Sequence, residues 1–256
     1  MKEARIHFFA GKGGVGKSAL AMAAAMGFAQ EGHRTLLVEI GENNQAAVLG
    51  GDKDLAGYNP WQVFPDLPFF SCTITVREAM KEYGLLKLKF QRVYKMVFEN
   101  DVIRRMLDLL PGMDELLMIG KIWFLEQELR ANGDLSWDRI VVDTPATGHG
   151  IALLRLPSVI LSTVDRGPFA NEIRPILEML RNPSRTQVHL VTLPEELPVR
   201  ETFEFAREIR DDLNIPIGVC FVNKMWQKIL ERSTHDLLEL LRNAPDLNVG
   251  DGQKLL

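Results

Sequence analysis

Eight residues near the amino terminus combine glycine, lysine and serine in a spacing that binds phosphate. Residues 11–18 read Gly-Lys-Gly-Gly-Val-Gly-Lys-Ser and match the pattern G-x-x-x-x-G-K-[ST] at every required position. Glycines let backbone N–H groups converge on phosphate oxygens, and a following helix adds the positive end of its dipole. Lys17 is expected to reach the β- and γ-phosphates of a nucleotide, and the Ser18 hydroxyl to coordinate Mg²⁺. The predicted nucleotide-binding residues of this loop are Gly11, Lys12, Gly13, Gly14, Val15, Gly16, Lys17 and Ser18.

A second lysine, Lys12, stands at the second of these eight positions. A lysine at this position is typical of the deviant Walker ATPases, and the resemblance implies that Lys12 reaches across a dimer interface to the nucleotide of a partner subunit. A positive charge aimed at those phosphates would stabilise the charge that develops in the transition state, as an arginine finger does. A solvated loop lysine is the alternative interpretation of Lys12 taken alone.

A second motif, at residues 143–150, connects the loop to one family. It reads Asp-Thr-Pro-Ala-Thr-Gly-His-Gly and resembles the second switch of the arsenite-pump and tail-anchored-protein targeting ATPases, whose typical text is Asp-Thr-Ala-Pro-Thr-Gly-His. Residues 111–116, 194–202 and 222–224 continue the resemblance. The chain is therefore identified as similar to a deviant Walker A ATPase of that family, closest to its bacterial branch.

The resemblance implies roles for three further residues. Asp143 is expected at the end of a strand, where it would hold the Mg²⁺ shell through a water molecule. The backbone N–H of Gly148 is expected to contact the γ-phosphate, so that the segment distinguishes ATP from ADP. Asn223 is expected to hydrogen-bond adenine, with an ordinary turn residue as the alternative. ATP and Mg²⁺ are thus the expected ligands, with Ser18 and Asp143 at the metal.

The first switch departs from the family pattern. Relatives carry an Asp after the second strand that positions or activates the attacking water, whereas this chain has Gly41 there. Because glycine cannot polarise water, Glu39 or Glu42 would have to act from a neighbouring position. The alternative is that both are surface or Mg²⁺-shell carboxylates with no catalytic duty. The predicted catalytic residues are Lys12, Lys17, Glu39 and Glu42.

The two cysteines, Cys72 and Cys220, lack the spacing of the Cys-x-x-Cys pair that binds zinc in the eukaryotic targeting proteins. We therefore expect no structural zinc. The multi-cysteine arsenite site of the pump ATPases is equally unsupported by the sequence. Such sparing use of cysteine favours a reducing compartment.

The elements that must position these residues alternate along the chain. Residues 6–10 form an apolar strand before the loop, residues 18–30 an alanine-rich helix, and residues 35–40 the next strand. This is a βαβ unit, which implies parallel pairing. The alternation predicts an α/β fold of the P-loop NTPase kind with a doubly wound, mainly parallel sheet. Further apolar runs predict strands at residues 69–74, 139–143, 159–164, 188–192 and 217–222.

One region interrupts this alternation. From about residue 76 to 132 the apolar spacing is helical only, which predicts a helical insert within a single P-loop ATPase domain spanning residues 1–256. In the targeting branch a helical subdomain forms an apolar groove for a client transmembrane helix. A client groove, a dimer interface and an ordinary buried core are the three interpretations of the insert. Methionine side chains suit each of these interpretations. Half of the ten methionines lie in the insert, namely Met80, Met96, Met106, Met113 and Met118.

The composition of the chain argues against nucleic acid and membrane as partners. The net charge of −4, from 30 basic and 34 acidic residues, gives no overall positive field for nucleic acid. No stretch approaches the roughly 18 apolar residues that a membrane span needs, and the amino terminus lacks the pattern of a signal peptide. We therefore expect a cytoplasmic protein with no transmembrane segment and no nucleic-acid partner.

These observations favour a Mg·ATP-dependent molecular switch, a dimer that couples ATP binding and hydrolysis to the handling of a protein client or partner. Gly41 motivates a second hypothesis: a subunit that binds nucleotide, hydrolyses it poorly, and forms a heterodimer with a paralogous ATPase. A partition or division-site ATPase, which shares a lysine at the position of Lys12, is the third. The first hypothesis is compatible with a homodimer, and the second requires a heterodimer.

Overall fold

The computed structural model describes residues 4–41, 45–50, 57–88, 112–145 and 148–225. Contacts within the chain divide it into two units, Met1–Lys224 and Met225–Leu256. The fold described here is that of the first unit. It confirms the predicted α/β class with a mainly parallel sheet.

Within the described residues, seven strands form one sheet in the order β3-β4-β2-β5-β1-β6-β7. Every neighbouring pair is parallel except β3 and β4, which are antiparallel at one edge. The short strand β3 was not predicted from the sequence. The strands are β1 Ile6–Ala10, β2 Thr35–Ile40, β3 Trp61–Gln62, β4 Phe69–Ile74, β5 Arg139–Asp143, β6 Thr186–Thr192 and β7 Ile217–Val222.

Helices cover both faces of this sheet, which explains why β1 and β2 are buried along their whole length. Phe8 packs in the cluster that includes Ile119 and Ile122 on one face, whereas Phe9 packs on the other face with the small alanines of the first helix. The helices are α1 Lys17–Gln30, α2 Gln45–Gly50, α3 Val76–Leu88, α4 Met113–Gln127, α5 Gly148–Thr163, α6 Pro168–Arg181 and α7 Glu196–Arg207, and a π-helical turn comes next at Glu208–Asp212.

The predicted strand at residues 159–164 is wrong, because these residues continue α5 and then leave it. The β-branched run after Pro157 suggested a new strand. The helix instead runs through Pro157, and Ile160 and Leu161 pack against the core at helical spacing from the buried Leu153 and Leu154. Burial of this apolar stripe overrides the local preference for strand.

Between β4 and β5 the structure describes α3 and α4, and residues 89–111 lie outside the described residues. The helical insert therefore remains a prediction over much of its length. Met118 is buried in the core, and Met80 and Met113 are partly buried against it. Met96 and Met106 also lie outside the described residues. The core interpretation thus suits the three methionines that are described.

Candidate functional site

The phosphate loop connects the end of β1 to the start of α1, as the sequence predicts for such a motif. Gly16 precedes the helix with a φ of 92°, and a Cβ atom here would overlap the side-chain amide of Asn223. Only glycine fits this close approach without strain. Val15 is buried in the core beneath the loop, whereas Gly13 and Gly14 face solvent. The loop is therefore anchored at Val15 and open where phosphate would bind.

Lys17 is held across this loop. Its Nζ donates a hydrogen bond to the carbonyl oxygen of Lys12 at 2.8 Å, and the residue is only 7% exposed. Burial lowers the pKa of Lys17, and the nearby charge of Asp143 opposes that shift. The ammonium is thus positioned beside the loop by a hydrogen bond to the loop backbone and by burial of its stem.

Asp143 is the last residue of β5, next to the loop-bearing strand β1. Its side chain is buried, its Oδ1 atom has no hydrogen-bond partner among the described residues, and the Ser18 hydroxyl hydrogen-bonds the carboxylate. Burial raises the pKa of Asp143, while the bond from Ser18 and the charge of Lys17 oppose the rise. A buried carboxylate oxygen without a partner, beside a hydroxyl, is a suitable environment for a hard cation.

These oxygens fit Mg²⁺ better than a metal that needs a cage of protein ligands. Across the parts of the chain that the structure describes, no group of three or more His, Cys, Asp or Glu side chains could hold a metal ion. Mg²⁺ usually keeps several waters and takes one or two protein ligands together with substrate phosphates. Ser18 and Asp143 as the metal-binding pair therefore remain a prediction that the geometry supports.

The end of β7 braces the loop from the side. The Asn223 side-chain amide donates to the Val15 carbonyl oxygen at 2.8 Å, and Lys224 Nζ donates to the Gly14 carbonyl oxygen at 2.9 Å. The Asn223 backbone N–H in turn donates to Thr192 at the end of β6. The sequence predicted adenine binding for Asn223 and missed this bracing contact. Its adenine role stays a prediction.

Lys12 extends away from the loop to the helix α7 of the same chain. Its Nζ forms an ion pair with Glu201 Oε1. The other oxygen, Glu201 Oε2, is buried without a hydrogen-bond partner among the described residues. Glu201 lies in a segment that resembles the family, but its contact with Lys12 was not predicted, because nothing local indicates that α7 passes beside the loop.

Of the two carboxylates predicted near the first switch, only Glu39 lies within the described residues. Glu39 is 3% exposed, and its two oxygens accept hydrogen bonds from the backbone N–H groups of Gln45 and Ala46 and from the Ser71 hydroxyl. Burial raises the pKa of Glu39, against these three hydrogen bonds. Glu42 lies outside the described residues. A catalytic role for either carboxylate stays a prediction.

Gly41 itself has a backbone φ of 103°, in the left-handed region that residues with a side chain seldom adopt. An Asp at this position would be strained in the observed conformation. The absence of the family's Asp is therefore matched by a local backbone that favours glycine.

The predicted second switch, residues 143–150, begins at Asp143, the last residue of β5. The Thr144 hydroxyl donates to the Phe9 carbonyl oxygen at 2.7 Å, which ties the start of the switch to the strand that carries the loop. Gly148 is the first residue of α5, where backbone N–H groups are not used within the helix. Residues 146 and 147 lie outside the described residues. The predicted contact from the Gly148 N–H to the γ-phosphate stays a prediction.

The sequence profile of the anion-transporting ATPases matches residues 4–168, from two residues before β1 to the first residue of α6. The chain belongs to the anion-transporting ATPase family. This match covers the loop, the first switch and the second switch, and it confirms the resemblance drawn from those motifs.

Individual members of the family are similar to the chain over most of its length. ATPase BagA of Mycobacterium tuberculosis is 30% identical over 236 residues, covering 86% of this chain and 65% of that protein. The arsenical pump-driving ATPase of Acidiphilium multivorum is 28% identical over 219 residues, covering 80% and 36%. ATPase GET3B of Arabidopsis thaliana is 24% identical over 270 residues, covering 86% and 64%. The chain spans less than two thirds of the length of each of these relatives.

The cysteines of this anion-transporting ATPase family member lie far apart in the sheet. Cys72 is buried on β4 and Cys220 is exposed on β7. Five strand spacings of about 4.8 Å separate these strands, or about 24 Å. The two thiols therefore cannot bind one ion together, and burial raises the pKa of Cys72 to about 12. The expectation of no structural zinc stays a prediction.

The sequence also predicts that this family member has no transmembrane segment. No helix in the described ranges is both long enough and apolar enough to cross a membrane. The predicted cytoplasmic location is not tested by this finding.

Proposed function

We propose that this chain is a Mg·ATP-dependent switch ATPase of the arsenite-pump and tail-anchored-protein targeting type. It acts as a dimer and couples ATP binding and hydrolysis to the handling of a protein client or partner. One observation carries the proposal: buried Lys17 lies across the loop while Asp143 presents an unpartnered oxygen beside the Ser18 hydroxyl. This arrangement supports the binding of a metal-bound triphosphate, because contacts within the described residues leave a buried oxygen of Asp143 without a partner.

Each residue contributes a distinct part of the chemistry. The loop N–H groups and Lys17 bind the phosphates, and Ser18 and Asp143 hold the metal shell. When bound, Mg²⁺ neutralises charge on the phosphate oxygens. Lys12 of the partner subunit stabilises the charge that develops during in-line attack of water on the γ-phosphate, which breaks the bond to the ADP oxygen. Glu39 or Glu42 positions that water.

The second switch supplies a physical connection to the rest of the domain. Thr144 is bonded to β1, and α5 begins at Gly148, where the N–H would contact the γ-phosphate. Helix α5 packs against both α4 and α6. A change at the start of α5 on hydrolysis would therefore be transmitted to α4 and α6, which pack with α5 in one core cluster.

A cavity between α3, α4 and α6 supports client handling. Its volume is about 410 Å³, and aromatic side chains at its mouth are exposed to solvent, including Tyr83, Phe124 and Phe169. Adaptable and aromatic linings suit apolar binding segments. We propose this cavity, which α3 and α4 of the predicted insert line together with α6, as the client surface, and a subunit contact is the competing use.

ATP turnover tests the enzymatic claim directly. Lys17→Ala should lower the steady-state rate of phosphate release by about 10²- to 10³-fold, as expected when a donor to transition-state charge is removed. Lys81→Ala, at an exposed lysine of α3, is the matched control and should keep the wild-type rate. Equal turnover in Lys17→Ala and wild type would rule out the proposed chemistry.

A heterodimer subunit with little hydrolysis is the second candidate function. It is favoured by Gly41 at the position of the family's Asp and by the engagement of both Glu39 oxygens. ATP binding without turnover in the isolated chain, followed by turnover when a paralogous ATPase is added, would support it. Turnover by the isolated chain that Glu42→Ala or Glu39→Ala abolishes would exclude it.

A further inference from the structure

The pairing of Lys12 differs from that of the other two lysines at the loop. Lys17 and Lys224 both donate to carbonyl oxygens of the loop itself. Lys12 instead forms an ion pair with Glu201, on a helix that comes after β6. The lysine that the proposed function assigns to a partner's nucleotide is thus held by a carboxylate of its own subunit.

The helix that carries Glu201 is weakly anchored. None of the twelve residues of α7 is fully buried, and two of its large apolar side chains, Leu197 and Phe203, are 61% and 71% exposed. The nearest buried anchor in sequence is Ile209, in the π-helical turn after it. A helix with so few buried contacts can move at low cost, so the carboxylate need not stay beside the loop.

The ion pair is also incomplete on the acidic side. Glu201 Oε2 is buried without a partner in the described part of the chain, and an unsatisfied carboxylate oxygen weakens the folded arrangement. Lys12 is more exposed than Glu201, and ion pairs at such sites contribute little net stability. The contact therefore directs Lys12 towards α7 and can be exchanged for another anion at little loss of stability.

We propose that Glu201 is an autoinhibitory latch. In the separate subunit it holds Lys12 against α7, and it releases Lys12 to the partner's triphosphate when two subunits assemble on ATP. This inference rests on the proposed role of Lys12 across the dimer interface. A triphosphate carries more negative charge than one carboxylate and competes for the same ammonium. The carboxylate thereby raises the concentration of subunits needed for assembly.

Sedimentation of the full chain with Mg²⁺ and a non-hydrolysable ATP analogue tests the latch. Glu201→Gln should lower the monomer–dimer dissociation constant about two- to fivefold, the range expected for an ion pair at a partly exposed site. Glu204→Gln makes the same charge change at an exposed position of the same helix and should leave the constant unchanged. Glu201→Asp keeps the charge and should stay close to wild type.

A double-mutant cycle separates the latch from a merely structural effect. In a Lys12→Ala background, Glu201→Gln should no longer change the dissociation constant, because there is no ammonium to release. A wild-type chain that binds the analogue and never dimerises would contradict both the dimer and the latch. A wild-type chain that dimerises while Glu201→Gln behaves like Glu204→Gln, or while Glu201→Asp tightens equally, would overturn the latch alone.

Discussion

Two buried carboxylates lie side by side at the same edge of the sheet and have opposite surroundings. Glu39 of β2 and Asp143 of β5 are paired residues in the parallel register. Burial raises the pKa of both. Asp143 keeps an oxygen without a partner beside the Ser18 hydroxyl. Glu39 uses both oxygens to accept bonds, two of them from the first residues of α2.

The difference comes from the segment that leaves the end of each strand. Helix α2 begins five residues after β2, and the N–H groups of its first turn have no partners within the helix. Glu39 satisfies two of them. The chain after β5 enters the second switch and bonds back to β1 through Thr144, so nothing in the described residues occupies Asp143 Oδ1. Paired positions in the register thus leave Glu39 engaged by the fold and Asp143 with one oxygen unpartnered among the described residues.

Of the changes that distinguish these two carboxylates, the largest expected effect is on turnover at Asp143. Asp143→Ala should reduce ATP turnover about 10- to 100-fold, because a residue that orients the metal shell typically contributes that much. Phosphate release measured over a range of Mg²⁺ concentrations should show a raised requirement for the metal. If turnover and its Mg²⁺ dependence stay at wild-type values, Asp143 does not serve the metal.

The next effect is on stability at Glu39. Glu39→Ala removes the acceptor for two helix N–H groups and the Ser71 hydroxyl, and should lower the free energy of unfolding by about 2 kcal/mol. Urea denaturation measures this change. Turnover per folded molecule should stay within about threefold of wild type if the capping contacts are the residue's main duty. A stable variant with abolished turnover would instead make Glu39 the residue that positions water.

The smallest effect is the pH dependence of the nucleotide-free fold. Because burial raises the pKa of Asp143 above its ordinary 3.8, the folded chain binds more protons than the unfolded chain in the window above that value. The contribution of Asp143 to the stability of the wild type therefore falls as the pH rises through this window. Asp143→Asn cannot ionise, so its melting temperature relative to wild type should increase over the same pH range.

Asp211 offers a control of opposite sign. A hydrogen bond from Arg210 lowers the pKa of Asp211. Because Asp211→Asn lacks the ionised partner of Arg210, its melting temperature relative to wild type should decrease as the pH rises. The buried His7 and His189, whose pKa values are lowered to about 3 and about 4 mainly by burial, are common to all three chains and cancel in the differences. Parallel curves for wild type and Asp143→Asn would contradict the environment described for Asp143.

The phosphate loop could be predicted from sequence because its contacts are local. Strand, loop and helix come one after another, and the bond from Lys17 to the Lys12 carbonyl spans five residues. Asp143 was predicted only through the family motif, since its place beside Ser18 depends on β5 lying next to β1. The helical state of residues 159–164 was missed because burial of one face outweighed the local preference of β-branched residues.

The contacts of Glu201 and Asn223 depend on long-range topology. Glu201 lies on the helix that follows β6, and Asn223 follows β7. Both residues reach the loop because β6 lies next to β1 in the sheet and β7 lies next to β6. A charged residue on a helix and an Asn after a strand carry no sequence signal for such neighbours. The bonds that occupy Glu39 were missed for the same reason, since the sequence shows a carboxylate near the switch but not the helix end above it.

The hydrogen bond from Lys17 to the Lys12 carbonyl has a consequence for binding entropy. A free lysine side chain holds about 2 kcal/mol of rotamer freedom, and a ligand that must immobilise it loses that amount from its affinity. Here the four-carbon stem is buried and the ammonium is hydrogen-bonded to the loop itself. Ordering of this side chain is thus completed during folding, and the phosphates meet a donor that needs little further restriction.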